Sequence, residues 1–221
     1  MTKSIKPRRK PSQSRAWMTA SAIQDAFLIS LVENGYERVS MRDIANVAGV
    51  GLGTLYLYFP NKESIAAVTL RGWLRSLASD IEAAVGAVAS QTLRGMADAM
   101  VAADLERMYQ APEQWRVLLL LERRITEPAV YQEMFQYFVG KLADGFSAAE
   151  DLPPDVDLRP LAFVAFSTMN GIIRDTMQVL DVMPDRDMLL RVVQGAVWGS
   201  IASMLGHENT VSAQVRPLRR R

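Results

Sequence analysis

The stretch Ser40–Lys62, SMRDIANVAGVGLGTLYLYFPNK, predicts two short helices joined by a glycine-containing turn. The first helix is predicted over Met41–Ala48 and the second over Leu52–Phe59, with Gly49-Val50-Gly51 between them. Two short helices with this spacing are the pattern of a helix-turn-helix. This segment therefore decides how the rest of the sequence is interpreted.

Each position of this motif has a physical reason. Ser40 is a favoured N-cap residue, and Asp43 follows it at the spacing of a capping box. Ala45 has to be small because the second helix crosses close to it, and Gly49 allows the backbone to turn. Apolar residues that can pack the two helices together are Ile44, Val50 and Leu55. The second helix is long enough to place a few side chains in a DNA major groove.

A preceding helix is predicted from about Arg15 to Asn34, because Ile23, Phe27 and Leu31 recur at helical spacing. Gly35 follows at the position where helices stop on a left-handed residue. After the motif, Asn61 is a suitable cap for a long helix that reaches about Val88.

The remaining chain predicts further helices and few strand signals, so the fold class is all-α. The predicted spans are Thr92–Tyr109, Pro112–Ile125, Pro128–Ala149, Arg159–Leu180 and Asp185–Leu205. Pro112 and Pro128 stand in first turns, where proline is tolerated. The acidic segment Glu150–Asp157 contains Pro153-Pro154 and is predicted to be a loop.

Charge divides the chain in a way that the overall net charge of +1 hides. Residues 1–75 contain eleven Lys/Arg and five Asp/Glu, whereas residues 76–215 contain ten and nineteen. A basic front and an acidic middle suggest that the front meets a polyanion. Lys3–Arg15 contains six basic and no acidic residues. It is either a solvated tail or an arm that follows DNA phosphates.

We therefore expect four segments. These are a disordered basic arm over 1–14, a three-helix DNA-binding domain over 15–62, a helical ligand-binding and dimerisation domain over 63–208, and a basic tail over 209–221.

Composition excludes several classes of site. The chain has no cysteine and a single histidine, His207, so disulfides and thiolate or imidazole metal sites are not expected. We expect no metal and no cofactor. No apolar run reaches the length of a membrane span, and no apolar segment follows the basic N-terminus as in a secretion signal. A cytoplasmic location, without membrane association, is the expectation.

The region Ile23–Lys62 resembles the N-terminal domain of the TetR/AcrR family of bacterial regulators. The matching residues are Ile23-Gln24-Asp25-Ala26, Gly35-Tyr36, Met41-Arg42-Asp43-Ile44-Ala45, Ala48-Gly49-Val50, Gly53-Thr54-Leu55-Tyr56 and Tyr58-Phe59-Pro60-Asn61-Lys62. The resemblance implies a three-helix DNA-binding domain, a long linking helix and a helical C-terminal domain that dimerises and often holds a small ligand. The rest of the chain matches the family only in length and helical character.

The resemblance also implies the DNA-binding residues. Those expected to bind phosphates are Ser40, Thr54, Tyr58 and Lys62, and those expected at or near the bases are Arg42, Tyr56 and Leu57. Core packing is the alternative for Tyr56 and Tyr58.

This chain departs from the family pattern in the second helix of the motif. Gly51 stands where a capping serine is common, Leu52 where lysine is common, and Leu57 where histidine is frequent. The predicted second helix therefore has no charged side chain. Base recognition would depend on Tyr56, on apolar contacts with thymine methyl groups, and on Arg42.

The last predicted helix carries Gly195, Gly199 and Ser203 at intervals of four residues. Glycine is costly within a helix, so two on one face suggest that another helix packs closely there. The resemblance implies that the last two helices form a four-helix dimer interface. Packing inside one subunit is the alternative.

Soft and aromatic side chains on the middle helices suggest a cavity for a small apolar or aromatic ligand. The candidate ligand-binding residues are Met96, Met100, Trp115, Met134, Phe138, Phe166, Met169 and Asn170. Further polar candidates are Glu122, Arg123, Arg124 and Arg174. An ordinary core is the alternative for each apolar residue.

Three functions are compatible with these features. The favoured one is a sequence-specific repressor that a ligand releases from a near-palindromic operator. The second is a ligand-independent DNA binder or activator with the same DNA-binding domain. An enzyme is the least favoured, because no nucleophile set, phosphate loop or metal cluster accompanies the carboxylates.

Overall fold

The structure is a computed structural model that describes residues 14–206, and this part of the chain contains nine helices and no strand. The helices are α1 (Ser14–Arg38), α2 (Met41–Val47), α3 (Leu52–Tyr58), α4 (Lys62–Gly86), α5 (Leu93–Gln110), α6 (Pro112–Ile125), α7 (Pro128–Phe146), α8 (Leu158–Val179) and α9 (Arg186–Met204). The predicted all-α fold class is confirmed. The predicted tail over 209–221, His207 and nearly all of the arm lie outside the described residues.

The helix-turn-helix forms where the sequence predicts it. Ser40 caps α2, and its side chain and that of Asp43 make both hydrogen bonds of the capping box. Gly49 has a φ of 65°, in the left-handed region that favours glycine, so it ends α2 and reverses the chain. Gly51 caps α3 without a side-chain hydrogen bond.

The N-terminal core joins α1, α2 and α3 to the start of α4. Its fully buried side chains include Ile23, Phe27, Ile44, Leu55 and Phe59. Ile23 and Phe27 lie on one face of α1, which explains why their helical spacing was sufficient to locate this helix.

Helix α4 links the two regions. The side chain of Asn61 accepts a hydrogen bond of 2.8 Å from the N–H of Ser64 and so caps the helix. Buried residues then follow along the whole of α4, from Ile65 near the DNA-binding helices to Val85 near its other end. One continuous hydrophobic core results, because the same helix contributes to both regions.

The helices α5 to α9 pack around the second half of α4. Helix α5 packs on α4 and α9, α7 packs on α4 and α8, and α8 packs on α9. The acidic loop takes part in this arrangement, because the carboxylate of Asp151 accepts a 2.7 Å hydrogen bond from the N–H of Leu93 at the start of α5. None of the helices within residues 14–206 is long and apolar enough to cross a membrane.

The helix ends lie within two residues of the sequence prediction except at the C-terminal ends of α1 and α7. The regular part of α1 stops at Gly35 as predicted, because its φ of 73° and ψ of 156° are not helical, and a short helical piece beyond this kink reaches Arg38. Helix α7 ends at Phe146 instead of Ala149, because the N–H of Ala149 bonds to the carbonyl of Phe146, three residues back, in a tighter turn.

The backbone conformation of Gly49 leads to a stability prediction. Gly49→Ala should lower the free energy of unfolding by about 1–2 kcal/mol, the cost of a left-handed non-glycine residue. Gly53→Ala is the matched control, because the added Cβ meets no atom within 4 Å at either position and only Gly49 has a positive φ. The control should not lose stability, because alanine is favoured over glycine in a helix. Urea unfolding measures both, and equal changes in the two variants would contradict this account.

Candidate DNA-binding surface and ligand cleft

The exposed side of α2 and α3 carries most of the predicted DNA-binding residues. Arg42 and Thr54 are exposed, and Tyr56 and Leu57 are 42% and 60% exposed. On the opposite side of α3, Leu55 is fully buried and holds the helix against α1 and α2. Core packing therefore does not describe Tyr56 in this structure. Tyr58 is half-buried and packs against the core.

Ser40 is exposed, but its hydroxyl is used by the capping box. The hydroxyl donates to a carboxylate oxygen of Asp43 at 2.6 Å and accepts from the N–H of Asp43 at 3.2 Å. The hydrogen bonds from Ser40 keep the pKa of the Asp43 carboxyl below its usual range. The carboxylate that results lies beside Arg42, on the surface predicted to meet DNA.

Lys62 has a second set of contacts that the sequence did not suggest. Its Nζ donates to the carbonyl oxygens of Tyr36 at 2.6 Å and Val39 at 2.9 Å, and lies 4.3 Å from the centroid of the Tyr36 ring. The ammonium therefore binds carbonyls at the end of α1, which lack partners within the helix and attract a cation. One N–H of the ammonium is left for the predicted phosphate contact.

Arg124 connects the same place to α6. It forms an ion pair with Glu37, and its guanidinium carbon lies 5.3 Å from the centroid of the Tyr36 ring. Burial, followed by the charge of Glu63, raises the pKa of Tyr36 to about 12. Tyr36 is thus held by cations from both α4 and α6. We call Tyr36, Glu37, Lys62 and Arg124 the α1 junction.

A narrow cleft lies in the C-terminal region between α4, α5, α6, α7 and α8. Its lining residues are Trp73, Leu74, Leu77, Asp104, Trp115, Leu119, Glu122, Tyr131, Met134, Phe135, Phe138, Phe166, Asn170 and Arg174. Of the predicted ligand residues, the cleft brings together Trp115, Met134, Phe138, Phe166 and Asn170.

The other three predicted ligand residues do not line the cleft. Met96, Met100 and Met169 are at most 2% exposed and lie in the packed core, because their helices turn these side chains towards neighbouring helices. Two of the further polar candidates also lie elsewhere. Arg123 donates to the side chain of Gln178, and Arg124 belongs to the α1 junction.

Aromatic rings nearly fill the cleft. Trp73 and Trp115 meet edge to face at 4.9 Å between ring centroids, and Phe138 and Phe166 stack at 4.9 Å. A cavity volume of about 30 Å³ remains, which is about the volume of one water molecule in the liquid. A larger occupant would therefore require these side chains to move.

The polar groups of the cleft are three ionisable side chains and Asn170, together with the phenol of Tyr131. Glu122 and Arg174 form an ion pair, with side chains only 5% and 17% exposed. Asp104 is 4% exposed, and its Oδ1 has no hydrogen-bond partner among the described residues. Sequence reasoning missed Asp104, although its place between Met100 and Met108 on one face of α5 puts a carboxylate in an apolar stripe.

The predicted dimer face is free within residues 14–206. A Cβ added to Gly195 or Gly199 would meet no atom within 4 Å, and Ser203 is exposed. Met188 and Val192 of the same helix are also exposed and lie at helical spacing from the two glycines. The alternative, that this face packs inside one subunit, does not agree with these observations.

The contacts of Lys62 predict a stability effect separate from DNA binding. Lys62→Met should lower the free energy of unfolding by about 1.5–3 kcal/mol, the range for hydrogen bonds to charged groups. Arg42→Ala is the control, since Arg42 is an exposed cation of α2 and its loss should affect the stability of the fold little. It should unfold in urea like the wild type. If Lys62→Met were as stable as Arg42→Ala, the role of Lys62 in joining α1 to α4 would be wrong.

Comparisons with known proteins agree with this geometry. Residues 25–68 match the family model described as "Bacterial regulatory proteins, tetR family". The "Fatty acid metabolism regulator protein" of Bacillus subtilis (strain 168) is 51% identical over 43 residues, which are 20% of this chain and 22% of that protein. The chain therefore matches about a fifth of the length of this curated relative.

Solved structures resemble the chain over most of its length. A putative TetR-family regulator from Mesorhizobium loti MAFF303099 has a TM-score of 0.70 at 18% identity, over 86% of this chain and 98% of that one. The fatty acid degradation regulator FadR from Bacillus halodurans has a TM-score of 0.68 at 18% identity, over 85% and 96%. FadR from Bacillus subtilis in complex with stearoyl-CoA has a TM-score of 0.66 at 21% identity, over 80% and 96%.

These proteins are regulators by name, in agreement with the sequence interpretation that the chain is not an enzyme. At such identities the solved structures establish the fold, while the family model and the curated relative concern the DNA-binding region. The resemblance seen in Ile23–Lys62 is confirmed. The N-terminal domain belongs to the TetR family of bacterial regulatory proteins, and the chain as a whole has the fold of the family's solved members.

Proposed function

We propose that this protein binds a near-palindromic DNA duplex as a homodimer and represses transcription until an apolar or aromatic ligand releases it. The observation that carries the DNA-binding part is the exposure of Arg42, Thr54, Tyr56 and Leu57 on a packed helix-turn-helix. Tyr56 and Leu57 are large side chains that do not pack in the core, so packing does not explain their presence at these positions. A DNA duplex offers partners to all four side chains, at its phosphates and in its major groove.

The side chains divide by chemistry into two sets. The first set contains donors suited to phosphate oxygens, namely Thr54, Tyr58 and the remaining N–H of Lys62. Ser40 belongs to the same set, although its hydroxyl already donates to Asp43. Arg42 suits a guanine edge, Tyr56 can donate or accept at a base edge, and Leu57 suits a thymine methyl group. The first set would position the protein on any duplex, and the second would select the sequence.

The dimer is proposed from the free glycine face of α9 and the apolar side chains beside it. Glycines at Gly195 and Gly199 allow a helix of a second copy to approach closely, and Met188 and Val192 supply apolar area to bury. A two-fold dimer presents two copies of α3, and a near-palindromic duplex presents two matching half-sites.

The ligand response is proposed from the position of α6, which contributes to two places. Trp115, Leu119 and Glu122 line the cleft, and Arg124, two residues after Glu122, contacts Glu37 and the ring of Tyr36 in the α1 junction. A molecule that enters the cleft must displace some of its lining side chains and contact those that α6 contributes, because little free volume is present. That displacement would act on α1 and, through Lys62, on α4. A ligand shifts the equilibrium only by its differential affinity for the two states.

An acyl chain is one ligand with suitable apolar chemistry. The Bacillus subtilis regulator of similar fold was solved in complex with stearoyl-CoA. A second candidate function is a ligand-independent DNA binder or activator. The small free volume of the cleft, about 30 Å³, is the observation that favours it.

The DNA-binding proposal predicts selective losses. Arg42→Ala and Tyr56→Ala should each reduce the preference for the selected duplex over random DNA by a factor of about 5–150, the value of a good base contact at about 1–3 kcal/mol. Selection from random DNA followed by gel-shift titration measures this. Tyr137→Ala is the control, because this tyrosine is 46% exposed but lies on α7. The proposal fails if the wild type prefers no selected duplex over random DNA at physiological salt.

The dimer proposal predicts a change in mass. The wild type should have the mass of two chains in light scattering at micromolar concentration. Gly199→Leu should yield one chain, because the added side chain prevents close approach of α9 helices. Gly72→Leu on α4 is the control, since Gly72 is also a helical glycine with nothing within 4 Å of its Cβ position. A single-chain mass for the wild type would contradict the proposal.

A further inference from the structure

The wall of the cleft contains a carboxyl group without a partner. Asp104 is 4% exposed and lines the cleft, and its Oδ1 receives no hydrogen bond from any described residue. Buried polar groups are nearly always hydrogen-bonded, and an unpaired one is costly. An unpaired carboxyl that faces a cavity is therefore a group suited to a ligand that supplies the missing donor.

The charges around the cleft compensate Asp104 only from a distance, because Arg107 lowers its pKa less than burial raises it. Among the described residues that line it, Arg174 is the cation, and it is already paired with Glu122. Arg107 lies one turn from Asp104 on α5, but its guanidinium donates to Ser76 at 3.0 Å and to Asp80 on α4. The cleft thus has two acids and one base, and both nearby arginines have carboxylate partners.

The rest of the lining indicates the kind of molecule that could supply the missing charge. Trp73, Trp115, Phe138 and Phe166 provide apolar area, and their ring faces attract cations. We propose that the ligand of this cleft is an apolar or aromatic molecule that carries a protonated amine, whose N–H donates to Asp104. This inference rests on the proposed function, since it names the class of ligand for the same site.

The first half of α7 is the part of the cleft wall that can move most easily. No residue from Pro128 to Tyr137 is buried, whereas the buried residues of α7 begin at Phe138. Tyr131, Met134 and Phe135 line the cleft from this half of the helix. Outward movement of these turns would expose little core and would enlarge the small volume now present.

A ligand of opposite charge would meet an unfavourable site. A carboxylate would have to take Arg174 from Glu122, which would leave Glu122 and Asp104 both without a partner. The free energy lost by leaving a buried charge unpaired exceeds the free energy gained from the new ion pair. An amine instead satisfies Asp104 and leaves the Glu122–Arg174 pair intact.

The pH dependence of binding adds a second readout. Burial raises the pKa of Asp104 to about 7, so much of the protein carries a proton there at neutral pH. An amine cation binds the carboxylate form, so its affinity should rise between pH 6 and pH 8 while the amine stays protonated. The other ionisable groups nearby are Glu122 on α6, Tyr131 on α7, Arg174 on α8, and Arg107, bound to Asp80 of α4. They are the same in wild type and variant, so the difference between profiles isolates Asp104.

The test compares three probes that share one tail. Decylamine, decanol and decanoate are titrated calorimetrically into the full-length protein, its Asp104→Asn variant and its Asp98→Asn variant. Decylamine should bind the wild type at least about 10-fold tighter than the other two probes, since a hydrogen bond to a charged group is worth about 1.5–3 kcal/mol. Asp104→Asn should remove this advantage and the pH dependence but keep decanol affinity. Asp98→Asn is the control, because Asp98 is a half-buried acid of the same helix that pairs with Arg94 and does not line the cleft.

The possible outcomes separate the inference from the proposed function. Tighter binding of decanoate, or an amine advantage that survives in Asp104→Asn, overturns the inference while an apolar ligand site remains. If no probe binds the folded protein, the inference and the ligand-responsive part of the proposed function both fall. DNA binding is judged independently by gel shift. Asp104→Asn should be at least as stable as the wild type at pH 8, because it removes a buried charge. The pH dependence of decylamine binding to the wild type tests the inference without any variant.

Discussion

Lys62 is the residue on which the arrangement of the DNA-binding helices depends. Its ammonium binds two carbonyl oxygens at the end of α1 and rests on the ring of Tyr36. Lys62 also begins α4, so this contact brings together the two ends of the segment that contains α2 and α3. The helix-turn-helix is thereby held between two long helices and does not depend on its own short helices for stability, which would be insufficient in isolation.

The same junction connects DNA binding to the rest of the molecule. Arg124 brings α6 to the ring of Tyr36 and to Glu37, while the preceding turns of α6 line the cleft with Trp115 and Glu122. Helix α6 therefore connects the cleft to α1, so a movement of its residues in the cleft would also move Arg124 at α1. This geometry supplies a physical route for coupling between the proposed ligand site and the proposed DNA surface, without any contact between the two.

Polar groups in the cleft bear on what the core can bind. An ordinary core would place apolar residues at the positions of Asp104, Glu122 and Arg174, because replacing buried ion pairs by well-packed apolar groups is often neutral or stabilising. Glu122 and Arg174 compensate each other, whereas Asp104 remains unpaired. A ligand that donates a hydrogen bond to Asp104 would remove the destabilising effect of this buried carboxyl.

The sequence by itself determined the secondary structure and the motif. The signals for helix ends are local, because each depends on residues within one turn of helix. They are the N-caps Ser40, Asn61, Thr92 and Asp185, the prolines in first turns, and Gly49 with its left-handed backbone. Only the tertiary structure decided which residues contact one another in the α1 junction and which side chains line the cleft. Helical periodicity indicates that Met96, Met100 and Met169 are apolar and inward-facing, but not whether a neighbouring helix fills the space before them. Here neighbouring helices fill it, and the side chains that reach the cleft come from five helices whose relative positions follow from packing between residues distant in sequence.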